Sequence, residues 1–116
     1  MTLADTPEPP YVAVIFTSQR TSADDAGYAA MADAMDAQAK LQPGYLGIES
    51  ARGADGFGIT VSYWRTSDDA RAWKRVAEHA SAQRLGRERW YRAYRVRVAE
   101  VARDYGKARD DGKGEA

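Results

Sequence analysis

Between Gly56 and Lys74 the chain reads GFGITVSYWRTSDDARAWK: a turn, a strand, a cap and the opening of a helix in one run. Phe57, Ile59, Val61 and Tyr63 alternate with Gly58, Thr60, Ser62 and Trp64. A two-residue period puts the two sets on opposite faces of a strand, and unlike faces belong to a sheet covered differently on its two sides. Thr66, Ser67, Asp68 and Asp69 then supply side-chain oxygens for the free amides of a helix start, and the helix carries Trp73. A strand that runs straight into a capped helix fixes the second half of a β-α-β-β-α-β order.

The remaining segments complete that order. YVAVIFTS, Tyr11 to Ser18, is rich in β-branched and aromatic residues and predicts a largely buried strand. Ser22 to Asp25 offers a cap for a helix running to about Lys40, with Tyr28, Met31, Ala32, Met35 and Ala39 as its apolar stripe. Pro43-Gly44 ends it and opens the strand YLGIESAR, with Leu46 and Ile48 on one face and Tyr45, Gly47, Glu49 and Ala51 on the other. Gly53 to Gly56 is a hairpin turn. The second helix starts near Ser67 with Trp73, Val76, Ala77 and Ala80 inward; Gly86 marks a break in a helical region ending around Trp90-Tyr91. The last strand covers roughly Arg92 to Val101, with Tyr94, Val96 and Val98 opposite Arg95 and Arg97. A flexible lead (1–10) and a charged tail (103–116) flank the domain at 11–102. The predicted fold is ferredoxin-like α+β, an antiparallel sheet with both helices on one face. The other face, expected to carry Thr60, Ser62, Trp64, Tyr45, Glu49, Arg95 and Arg97, would meet solvent, nucleic acid or a second copy.

Composition narrows the chemistry. The 116 residues suit one domain with a modest core, which dimerisation would extend. Seventeen basic and seventeen acidic residues cancel, arguing against a chain that works by attraction to nucleic acid or membranes. With no cysteine there is no disulfide, thiolate chemistry or cysteine-held metal. No apolar run would span a bilayer, and Met1 to Pro10 has no secretory pattern, so a cytoplasmic location is expected. His79 is the single histidine, and no spacing around it suggests a metal site. The same element order occurs in the RNA-recognition motif, but Asp55, Ile59, Thr60 and Ser62 occupy positions where its third strand needs basic, aromatic and apolar residues.

The hydrophobic first strand YVAVIF, the QPGYLGIES junction, VSYWRTSDDARAWK, AEHASAQ and the tyrosine-rich last strand together resemble the antibiotic biosynthesis monooxygenase domain family over about Tyr11 to Tyr105. The resemblance implies a dimeric α+β barrel, a homodimer whose two sheets pack face to face. Some members of that family oxygenate electron-rich aromatics with dioxygen and neither metal nor flavin. Others degrade haem or oxidise quinols. It also implies a pocket between sheet and helices, lined here by Trp73, His79, Phe16 and Tyr63. His79, the one side chain with an intrinsic pKa near neutrality, would be the base that ionises a phenol or quinol; Trp73 would form an aromatic wall. Arg52 or Arg92 could hold oxyanion charge. The haem-degrading members use an asparagine on the first strand, and this chain contains none, which argues against haem as substrate or cofactor. The expected function is cofactor-independent oxidation of a small phenolic, quinol or polyketide-like aromatic, the alternative being a dimeric small-molecule-binding or accessory protein without turnover.

Overall fold

The computed structural model describes residues 3–83 and 87–107, with the backbone alone at 80–83 and 87–88. The elements run β1 (Tyr11–Arg20), α1 (Asp25–Lys40), β2 (Tyr45–Arg52), β3 (Phe57–Trp64), α2 (Ser67–Gln83), α3 (Arg87–Trp90) and β4 (Tyr91–Val101). The four strands form one antiparallel sheet in the order β2-β3-β1-β4. This is the ferredoxin-like α+β arrangement expected from the sequence. Gly86 and the end of the charged tail lie outside the described residues, as does the Ala80 side chain.

The turn chemistry works as read. Asp24 caps α1, its Oδ1 accepting from the Gly27 amide at 3.1 Å, with φ at 53°, a left-handed conformation that aspartate tolerates better than most residues. Thr66 Oγ1 accepts from the Asp69 amide at 3.1 Å and closes the start of α2. In the β2–β3 hairpin Gly56 takes φ 88°, where a side chain would be strained, and its amide donates to the Gly53 carbonyl at 3.0 Å.

The faces of β3 are the reverse of the expectation. Gly58, Thr60, Ser62 and Trp64 point at the helices, while Phe57, Ile59, Val61 and Tyr63 occupy the open face. Trp64 decides this. It is 0 % exposed, stacks on Trp73 of α2 with ring centroids 5.7 Å apart, and forms the core with Val12, Ala39 and Ala70. Small residues at 58, 60 and 62 let helices and long side chains approach the sheet closely. The apolar residues at 57, 59 and 61 belong to a face left without a helix. An irregularity between Tyr45 and Gly47 also breaks the predicted alternation of β2, and it turns Tyr45 onto Trp64 at 5.8 Å.

The N-terminal lead is tied to the open face. The Ala4 amide donates to Glu49 at 2.8 Å, and Glu49 also accepts the Tyr63 hydroxyl at 2.7 Å. Thr6 donates to the Tyr11 hydroxyl, which donates to Asp104 at 2.5 Å, so residues from both ends of the chain meet beside β1.

Candidate functional site

The register places Arg52, Gly58, Ser18 and Tyr94 in one row across the helix-covered face, one residue from each strand. Gly58 has no side chain, so the Arg52 side chain lies flat across β3 and reaches Ser18. Its Nη2 donates to Ser18 Oγ at 2.9 Å and to the Tyr28 hydroxyl at 3.2 Å; its Nη1 donates to the Gly56 carbonyl. Ser18 is 2 % exposed, so this hydrogen bond is anchored in the interior.

The Tyr28 ring lies 5.6 Å from the guanidinium and joins it to a chain of rings. Tyr28, from the first turns of α1, lies edge-on to Tyr91 at 5.9 Å, and Tyr91 is edge-on to Phe16 and Tyr94 in turn. Phe16 and Tyr94 meet at 5.6 Å. Tyr94, Val96 and Val98 remain 41, 45 and 59 % exposed, an accessible apolar shelf on the helix side of β4. A second cation, Arg20, sits 3.9 Å over the Tyr28 ring with its side chain 7 % exposed. Arg20 bonds Asp25 at 2.6 Å and the Trp90 carbonyl at 3.2 Å, which fixes the start of α1 against the end of the sheet.

The titration behaviour follows from this packing. Burial is the main reason the Tyr91 phenol is pushed well above its ordinary value; Tyr28, as neighbour and hydrogen-bond partner, adds to the effect, and Arg52 and Arg20 oppose it. Tyr91 is therefore a neutral phenol throughout the physiological range. The cluster thus offers hydroxyl groups and an exposed, hydrogen-bonded cation beside aromatic faces, which suits a planar molecule carrying oxygen. Among the described residues no three His, Asp or Glu side chains converge to hold a metal ion.

The residues singled out from sequence are dispersed. Phe16 belongs to the ring cluster. Trp73 stacks on Trp64 at the other end of the sheet, as part of the core. His79 is exposed on α2. Tyr63 was expected to line a pocket beneath the helices, but it stands on the open face against Tyr11 and Glu49, because Trp64 claims the helix side of β3 and its neighbour must point away. Arg52 reaches the helix-covered face; Arg92 is exposed on β4. Ser18, Tyr28 and Tyr91 went unrecognised. A signal was available, since the Gly53–Gly56 turn pairs Arg52 with Gly58, and an arginine across from a glycine can fold over the partner strand.

A four-stranded antiparallel sheet with two helices on one face and this connectivity defines a ferredoxin-like α+β domain. SnoaB, a cofactor-independent oxygenase from Streptomyces nogalater, superposes with a TM-score of 0.66 at 15% identity, covering 84% of this chain and 97% of SnoaB. A candidate antibiotic biosynthesis monooxygenase from Bordetella bronchiseptica superposes at 0.63 and 15% identity, over 81% of this chain and 99% of its own. At such identities these structures establish the fold alone. No family model matches the chain. The uncharacterized protein YqjZ of Bacillus subtilis (strain 168) is 52% identical over 101 residues, 87% of this chain and 88% of YqjZ. The chain belongs to the same family as YqjZ.

Proposed function

We propose that this protein oxidises a small phenolic or quinol-type aromatic with dioxygen as co-substrate, needing no metal, flavin or haem, at the ring cluster around Arg52. The observation that carries the reading is that cluster: Phe16, Tyr28, Tyr91 and Tyr94 packed edge to edge, with the Arg52 guanidinium against Tyr28 at one end and an exposed apolar shelf at the other. The fold is one in which SnoaB works as a cofactor-independent oxygenase. For a phenol the reaction balances without an external reductant. One oxygen atom enters a ring carbon, the other leaves as water, and the phenol supplies four electrons in becoming a quinone. The ionised phenol gives its first electron to dioxygen more readily than the neutral one, and a guanidinium and phenol donors favour that ionised form. A role for His79 as base would require substrate or a second subunit to reach the exposed side of α2.

Oxygen uptake by the purified protein against dihydroquinones and polycyclic phenols tests the reaction. Uptake above autoxidation that is lost in Arg52→Met supports it; loss in His79→Ala instead would move the chemistry to α2. A second reading, binding without turnover, is favoured by the exposure of His79, because the cluster contains no side chain with an intrinsic pKa near neutrality. Uptake absent across the panel, with ring binding retained, supports that second reading.

The partner most compatible with the open face is a second copy. Phe57 and Ile59 are 47 and 41 % exposed there, next to Val61, and Arg95 and Arg97 flank them on the same face. A solution mass of one chain at micromolar concentration would refute the homodimer. No helix among the described residues is long and apolar enough to cross a membrane.

A further inference from the structure

Two cations approach the Tyr28 ring, and only one has a counter-ion among the described residues. Arg20 is paired with Asp25. Arg52, 5.6 Å from the ring centroid, donates only to neutral oxygens: Ser18 Oγ, the Tyr28 hydroxyl and the Gly56 carbonyl. A guanidinium has five N–H donors in a plane, so these bonds fix its orientation and leave donors over. No carboxylate pairs with it among the described residues, and the half-buried Tyr91 phenol nearby keeps its proton, its pKa raised by burial. Arg52 is itself solvent-exposed, so the site carries an accessible positive charge, oriented by three hydrogen bonds and set beside an apolar shelf. On β1, Phe16 stands two positions from Ser18 on the same face, roughly 7 Å along the strand, about the span of a fused two-ring aromatic.

We propose that the site takes its substrate as a preformed anion: a planar, fused-ring phenol whose hydroxyl, made acidic by a conjugated carbonyl, is already ionised in neutral water, with that oxygen on Arg52 and the rings over Phe16 and Tyr94. This rests on the reading above that the ring cluster is the substrate site, and it deepens that reading. A substrate that arrives ionised needs no protein base, which accounts for a charged, aromatic site with no histidine in it. Arg52 is then the residue that selects the charge state, and Ser18 and Tyr28 are positioning residues that hold it.

The test uses the full chain and two probes that differ by one methyl group and one charge: lawsone, a hydroxynaphthoquinone ionised at neutral pH, and its neutral methyl ether. Isothermal titration calorimetry is expected to give the anion about tenfold tighter binding or more, the scale of a charge-assisted hydrogen bond. Arg52→Met should abolish the preference, so that the two probes bind with equal affinity. Arg52→Lys, which restores charge without the planar fork, should recover part of it; circular dichroism confirms that both variants fold. Equal affinity of the wild type for the two probes, binding of neither, or a preference that survives in Arg52→Met overturns the proposal. The two readings fail separately. An anion preference without oxygen uptake on any substrate leaves this site standing and removes the reaction. Uptake that is lost in Arg52→Met, with no anion preference in the wild type, does the opposite.

Discussion

Arg52 lies across Gly58, and the contact exists because position 58 lacks a Cβ. A Cβ built there would come within 2.7 Å of Arg52 Cζ and 3.0 Å of the Ala51 carbonyl oxygen. The first neighbour can swing away and the second is backbone, so Gly58→Ala should displace the guanidinium from Ser18 and Tyr28. The expected cost is about 1–3 kcal/mol, typical of overpacking, read by urea denaturation. Lawsone affinity should fall toward that of Arg52→Met. Unchanged stability together with unchanged affinity would mean that the guanidinium is not seated over β3.

Trp64 and Trp73 separate core from site. Trp64 is wholly buried, and its indole N–H donates to Ser62 at 2.9 Å, whereas Trp73 is partly exposed. Trp64→Ala should cost about 3–5 kcal/mol, and Trp73→Ala distinctly less. Both tryptophans sit at the far end of β3 from Gly58, roughly 20 Å away. Trp73→Ala should therefore leave ring binding within about twofold of wild type, a change too small to signal a lost contact. A tenfold loss of lawsone affinity in Trp73→Ala would instead return the pocket to α2.

Much of the fold was legible because its signals are local. Caps at Asp24 and Thr66, the glycine turn at 53–56 and the two-residue period of β3 each fix an element within a few residues. Which face of β3 the helices cover is not a local matter. Both faces carry aromatic residues, and the choice follows from Trp73 of α2 stacking on Trp64 rather than on Tyr63. The candidate site was hidden for the same reason. Ser18, Tyr28, Arg52 and Tyr91 come from four elements, and only the β2-β3-β1-β4 order carries Arg52 over Gly58 to Ser18. His79 drew attention by residue type, which says nothing of the direction in which its helix presents it.

His79→Ala should be close to silent. The imidazole is exposed on α2, and surface substitutions away from caps and networks usually change stability by less than about 0.5 kcal/mol. Lawsone affinity and any oxygen uptake should match the wild type within error. A variant that folds normally but loses uptake would show that His79 acts in catalysis from the exposed side of its helix, and would favour a site completed by a second subunit.

Alkaline pH should unfold the protein earlier than its core suggests. A free tyrosine ionises near 10.0, and Tyr11, Tyr45, Tyr63 and Tyr91 are all raised above that value, first by burial. For Tyr63 the Glu49 carboxylate that accepts its hydroxyl adds to the rise. A raised pKa means that the folded chain keeps protons which the unfolded chain releases. The stability these groups lend is thus fully present below pH 10.0 and drains away as pH climbs past it. Melting temperatures taken from about pH 8 to about pH 11 should be level at first and then fall. Tyr63→Phe should lose roughly 0.5–1.5 kcal/mol at neutral pH for its missing hydrogen bond. It should also decline less steeply at high pH, having one proton fewer to hold. Tyr91→Phe should flatten the decline in the same way, through the ring cluster rather than the open face. Curves for wild type and both variants that run parallel above pH 10.0 would mean that neither phenol is held protonated by the fold. Tyr91 would then be free to ionise beside Arg52, and the vacant positive charge on which anion binding depends would be filled by the protein itself.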